Sequence, residues 1–212
     1  MKAVLWDLDG VLVDSAPFHL QAWRELFASS GRELSEADFR RTFGLRNDAI
    51  LRELLGDLPV AEVQRLADRK EALFRRAALG NITSLPGALE LLRLLRERAV
   101  KLALVSSTPY GNIDLILGSL GVEAAFDVIV GEEDVTRGKP DPEGFLLAAR
   151  RLVVPPDECV VIEDAPAGVE AAKRGGMRCV GVSRGRPRDA LAEADLVVES
   201  LDDPAVAEFF DG

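Results

Sequence analysis

Six short apolar runs constrain the fold of this chain more than any other feature: Ala3–Trp6, Leu102–Val105, Val128–Val130, Val160–Ile162, Cys179–Val182 and Leu196–Val198. Each has the length and continuity of a strand buried on both faces, the signature of a parallel sheet. Segments with helical spacing separate most of them, as in Leu89, Leu92 and Leu95, or Ile113, Ile116 and Leu120. Strand and helix alternating in this way predict an α/β fold with a doubly wound sheet. Pro109 and Pro142 suit the first turns of helices, with Thr108 and Asp141 ahead of them as N-caps, and Gly121 suits a helix end.

One interruption stands out. Between the first and second strands, residues 16–80 contain no strand-like run and read as all helix, with Val60, Val63, Leu66, Leu73, Phe74 and Ala77 on one face. A helical bundle inserted directly after the first strand would lie over the carboxyl edge of the sheet. The expected organisation is therefore a core of residues 1–15 and 81–212 with a helical cap of residues 16–80. Gly80, Pro86 and Gly87 supply turn chemistry at the second joint.

At 212 residues and 48% hydrophobic, the chain can bury a substantial core. Its net charge of −10 argues against nucleic acid and anionic membranes as partners, so a small anionic substrate needs a local cation. No apolar stretch approaches the ~20 residues that span a bilayer, and acid interrupts MKAVLWDLD too early for a signal peptide. A cytoplasmic location is expected, and Cys159 and Cys179, both in strand-like contexts, read as buried reduced thiols.

Ligands of open α/β sheets bind beyond the carboxyl ends of the strands. The first strand runs into Asp7 and Asp9, the second into Ser106, and Val160–Ile162 into Glu163 and Asp164, while GEEDVTRGKPDP places Lys139 just before a helix. Singly, each has a bland role: a turn, a structural hydroxyl, a solvated lysine, a helix cap. Together they bring carboxylates, a hydroxyl and an ammonium to one edge. Converging carboxylates need protons or a cation, and an oxygen-only set without His or Cys favours Mg²⁺. Mg²⁺ beside a lysine suits a phosphate group, with Asp7 able to act as nucleophile and metal ligand and Asp9 to handle the proton.

These residues also carry a resemblance. DLDGVLVDS, the serine of LALVSSTP, the lysine of GKPDPEGF and IEDAPAGVEAA are similar, in order, to the four motifs of the haloacid dehalogenase superfamily, in its branch of β-phosphoglucomutase and sugar-phosphate phosphatases. The resemblance implies a Rossmann-like core with a helical cap. It implies Asp7 as phosphoryl acceptor, Asp9 as general acid and base, and Ser106 and Lys139 as holders of the phosphoryl oxygens. Asp164 with Glu163, Asp7 and the backbone carbonyl of Asp9 would hold Mg²⁺. Cap closure is expected to desolvate Asp9 and raise its pKa. The second aspartate favours phosphate esters over halides, and Lys70, the one lysine of the cap, does not match the Schiff-base motif of phosphonate-cleaving members.

For substrate binding, the resemblance points to His19 in PFHLQAW, Arg46 in GLRNDA and Arg76, with Arg75 as the alternative register, and to Ser107 and Thr108 after the second-motif serine. Pro109 and Tyr110 depart from the mutase pattern. The expected function is a Mg²⁺-dependent phosphatase for a small phosphorylated metabolite, acting as a monomer or weak homo-oligomer. The alternative is a sugar-phosphate mutase. A non-catalytic relative would have lost Asp7, Asp9 or Lys139, and all three are present.

Overall fold

A computed structural model describes residues 1–211. Its strands β1 (Ala3–Trp6), β2 (Lys101–Val105), β3 (Val128–Val130), β4 (Cys159–Glu163), β5 (Arg178–Val182) and β6 (Leu196–Val198) form one sheet in the order β3-β2-β1-β4-β5-β6. Every ladder is parallel, and β1 lies centrally, with Ala3 opposite both Lys101 and Cys159. All six apolar runs are strands. Alternate residues of β1 point to opposite faces, and both faces are covered, which is why the run is continuously apolar. Val4 and Trp6 join Leu102, Leu104 and Ile162 beneath α5 (Ala88–Glu97), α6 (Tyr110–Leu120) and α9 (Pro204–Asp211). Ala3 and Leu5 join Ala103 and Val161 beneath α7 (Glu143–Leu152) and α8 (Pro166–Arg174).

Four helices lie between β1 and β2: α1 (Ala16–Ala28), α2 (Glu36–Thr42), α3 (Asn47–Leu55) and α4 (Val60–Ala78). They enclose an apolar cluster of their own, including Trp23, Leu26, Phe27, Phe39, Leu51 and Val63. Val60, expected on the apolar face of α4, is 80% exposed because it is the first helical residue, ahead of the packed turns. The buried stripe of α4 runs through Val63, Lys70, Glu71, Phe74 and Ala78. Two charged residues therefore sit on the face where apolar ones are the rule.

The two connections to this insertion run side by side: Val13 bridges to Ser84, and the Leu85 amide donates to the Leu12 carbonyl at 3.0 Å. Helix starts differ slightly from expectation. Helix α6 begins at Tyr110 with Pro109 in the N-cap position, and Thr108 does not cap it. The Thr108 hydroxyl instead accepts from Asn112 Nδ2 at 3.2 Å. Asp141 lies one residue ahead of the α7 N-cap, yet its Oδ1 still accepts the Glu143 amide at 3.0 Å. Gly121 closes α6 at φ +67°, as expected of a C-terminal glycine. Among the described residues no helix is long and apolar enough to cross a membrane.

Candidate active site

The centre of the sheet's carboxyl edge is built by three neighbouring strands. The Asp7 amide donates to the Ile162 carbonyl at 3.0 Å, which extends the β1–β4 ladder by one residue and sets the first carboxylate beside the end of β4. Lys139, in the loop before α7, reaches this edge and bridges Asp7 Oδ1 at 2.5 Å and Glu163 Oε1. Oxygens of Asp7, Glu163 and Asp164 all lie within 4.8 Å of one another. The other Glu163 oxygen accepts the amides of Asp164 at 2.8 Å and Ala165 at 2.9 Å. Both its oxygens are thus engaged, whereas the Asp164 carboxylate accepts no hydrogen bond among the described residues. Space for that carboxylate depends on Gly10, whose φ of +91° suits glycine and whose missing Cβ would collide with it.

Three buried carboxylates against one ammonium leave an excess of negative charge. Burial pushes Asp7 well above the usual carboxylate range; Lys139 pulls it back, and Glu163, Asp164 and Asp9 push it further up. Burial and Glu163 raise Asp164 to about 7 against the opposing pull of Arg186 and Lys139. Burial disfavours the charged lysine, but Asp7 and Glu163 more than offset this and keep Lys139 protonated. A buried, oxygen-only cluster short of positive charge fits a hard divalent cation such as Mg²⁺. Ser106 directly follows β2 and is buried, its Oγ accepting the Thr108 amide at 3.1 Å.

Asp9 turns away from the cluster toward the helical insertion. Its Oδ1 accepts from Ser15 Oγ and lies 3.4 Å from His19 Nε2. On the far side of the ring, His19 Nδ1 is 2.7 Å from Lys70 Nζ, which also donates to Glu71 at 2.8 Å. An ammonium can only donate, so Nδ1 accepts and Nε2–H faces Asp9. Phe74 stacks on the imidazole with centroids 4.0 Å apart. The expected rise in the Asp9 pKa is not found. Burial does raise it, but the hydrogen bonds from His19 and Ser15 and the charge of Lys70 outweigh that effect and lower it.

Asp9, His19, Lys70, Ser107 and Thr108 line a small cavity that Trp23 and Phe43 also border. Arg46 lies beside it, donating to the Val135 carbonyl at 2.8 Å and packing over Gly138, where a Cβ would stand 2.7 Å from its Cδ. Arg76 is not brought to the cavity. It is 66% exposed and pairs with both Glu25 oxygens at 2.7 Å. Arg75 turns instead to Asn112 Oδ1 at 2.9 Å. The lysine that does line the cavity is Lys70, and the signal for it was a charge on the apolar stripe of α4.

A family model described as haloacid dehalogenase-like hydrolase matches residues 1–176. The chain belongs to this family. As a haloacid dehalogenase-like hydrolase, it is 35% identical over 94% of both chains to the validoxylamine A 7'-phosphate phosphatase of Streptomyces hygroscopicus. It is 37% identical to a phosphorylated carbohydrates phosphatase of Thermotoga maritima, over 93% of each chain. It is 36% identical to the β-phosphoglucomutase of Bacillus subtilis, over 96% of this chain and 91% of the mutase. Among solved structures, a β-phosphoglucomutase from Clostridium difficile superposes with a TM-score of 0.91 at 30% identity, covering 100% of this chain and 96% of that one.

Proposed function

We propose that this hydrolase is a Mg²⁺-dependent phosphatase of a small phosphorylated metabolite, a sugar phosphate in class, with residues 16–80 acting as a cap. The observation that carries this reading is the Lys139 bridge between Asp7 and Glu163 inside a buried three-carboxylate cluster. Asp7 and Asp164, with Glu163 beside them and the Asp9 carbonyl, would hold Mg²⁺, which supplies neutralising charge for the phosphoryl oxygens.

Asp7 attacks phosphorus in line, the bond to the ester oxygen breaks, and an aspartyl phosphate forms. Ser106 and Lys139 hold the transferring oxygens while Asp9, in its protonated form, gives the leaving oxygen its proton. Asp9 is then a carboxylate, the form that Ser15 and His19 stabilise, and takes a proton from the water that attacks the aspartyl phosphate. Phosphate leaves and both aspartates are regenerated.

The mutase reading requires the site to hold a bisphosphate and hence to offer a second phosphate a cation. The available cations are committed elsewhere: Lys70 to His19 and Glu71, Arg46 to Val135 and Glu132, and Arg76 to Glu25 at the surface. This supports hydrolysis over mutation. The test incubates the protein and Mg²⁺ with a panel of sugar phosphates, including β-glucose 1-phosphate with a trace of its 1,6-bisphosphate. Phosphate release far above an Asp7→Asn control is expected. Accumulation of 6-phosphate with little free phosphate would assign a mutase, and no turnover above the control would overturn both readings.

A further inference from the structure

We infer that Glu71 and Asn112 are positioning residues, a buried carboxylate–amide pair that joins cap to core and fixes Lys70 behind His19. The inference rests on the role proposed for Asp9.

Asn112 stands in the first turn of α6, fully buried next to Ile113 and one turn from Ile116. An amide in such a place is costly unless its atoms are bonded. Oδ1 accepts from Arg75 at 2.9 Å, and Nδ2 donates to Glu71 Oε2 and, at 3.2 Å, to Thr108 Oγ1. Two of these three partners belong to α4, across the boundary between core and insertion. Glu71 is also buried; its other oxygen accepts from Asn47 at 2.7 Å and Lys70 at 2.8 Å. Burial opposes its charge, but the Lys70 ammonium and the hydrogen bonds from Lys70 and Asn47 outweigh this and lower its pKa.

A bonded path therefore runs from core helix α6 through Asn112, Glu71, Lys70 and His19 to Asp9. Glu71 is the one carboxylate paired with Lys70 among the described residues. Without that anchor, the ammonium is free to leave His19 Nδ1, and nothing then fixes the tautomer that presents Nε2–H to Asp9. Asp9, which receives the far end of this path, stands two residues from Asp7 on the core. The Glu71–Asn112 bond spans the boundary between core and insertion. It ties the geometry of proton transfer to the seating of the insertion on the core.

The test separates proton delivery from general damage. A sugar phosphate needs its leaving oxygen protonated, whereas p-nitrophenyl phosphate releases a stable phenolate, and kcat/KM reports formation of the aspartyl phosphate for both. Asn112→Ala and Glu71→Gln are expected to lower kcat/KM for the best sugar phosphate of the panel on the order of 10- to 100-fold, part of what a general acid contributes. For p-nitrophenyl phosphate the loss stays within about threefold. Asp9→Asn should show the same contrast. If it does and the two variants lower both substrates equally, the positioning role is wrong. If Asp9→Asn itself shows no contrast, the role of Asp9 fails, and the inference with it. Glu71→Gln preserves side-chain volume and carries the test if Asn112→Ala does not fold.

Discussion

Gly168→Ala sets two physical effects against each other. Gly168 is buried in the first turn of α8, where replacing glycine by alanine ordinarily stabilises a helix by up to about 1 kcal/mol. A Cβ at this position would overlap the Glu163 carboxylate, touching both its oxygens and Cδ. That carboxylate cannot turn aside cheaply, because it accepts two backbone amides and the Lys139 ammonium. Hydrogen bonds to a charged group are worth about 1.5–3 kcal/mol each, so losing the two amide bonds costs about 3–6 kcal/mol. After the helix-propensity gain, a net loss of about 2–5 kcal/mol remains, or roughly 4–20 °C in Tm for a chain of this size. Gly118→Ala is the internal control. Its Cβ would approach only the flexible end of Glu123, at 3.3 Å, so it should gain up to about 1 kcal/mol. Thermal and urea unfolding of both variants in EDTA check the pair. A Gly168→Ala protein melting at or above the parent would refute the claim that Glu163 is pinned in place.

The metal-free protein should lose stability as pH rises from about 4 to about 7. In that window the unfolded chain has released protons that folded Asp7 and Asp164 retain, the latter up to about 7. Melts in EDTA at pH 5 and 7.5, with and without added Mg²⁺, check this: Mg²⁺ should restore the loss at 7.5, and a flat profile in EDTA would count against the charge excess. Lys70→Met should keep the fold and lower kcat for sugar phosphates at least about tenfold, read from steady-state kinetics with circular dichroism as the folding control. Unchanged kcat would remove Lys70 from the site. Arg76→Ala should leave kcat/KM within about twofold and stability within about 1 kcal/mol, as befits a surface ion pair. A tenfold loss would return Arg76 to substrate binding.

All six strands could be read from the chain because both faces of the sheet are buried, so burial writes itself as uninterrupted apolar runs. The core carboxylates and Ser106 were legible for a related reason: each follows a strand, and strand ends of a parallel sheet share one edge; Lys139 was read from the loop between β3 and α7. The insertion was harder. Lys70 stands among Arg69, Glu71 and Asp68, where a charged residue ordinarily faces water, and its place on the stripe between Val63 and Phe74 was the one sign that it packs inside, against α1. Arg76 lies six residues further along the helix, roughly 120° around the axis from Lys70, so one charge enters the cavity and the other meets Glu25 at the surface. The start of α6 was misplaced by one residue because the Thr108 hydroxyl accepts from the Asn112 side chain four residues on, rather than from a backbone amide as an N-cap would.

The central place of β1 also has a consequence for how the chain is made. Ala3 to Trp6 leave the ribosome first, yet their hydrogen-bonding partners are residues 101–104 on one side and 159–162 on the other. Until those are synthesised, this central strand of the sheet has nowhere to pair. Such long-range pairing is slow to form, whereas α1 to α4 pack on one another from nearby sequence. The helical insertion can therefore take shape on the nascent chain well before Asp7 meets Lys139 or Glu163. A chain interrupted before Cys159 would carry Asp7 and all four insertion helices and still lack the Glu163 and Asp164 that complete the cluster. Recovered activity during refolding thus reports completion of the sheet rather than appearance of helix.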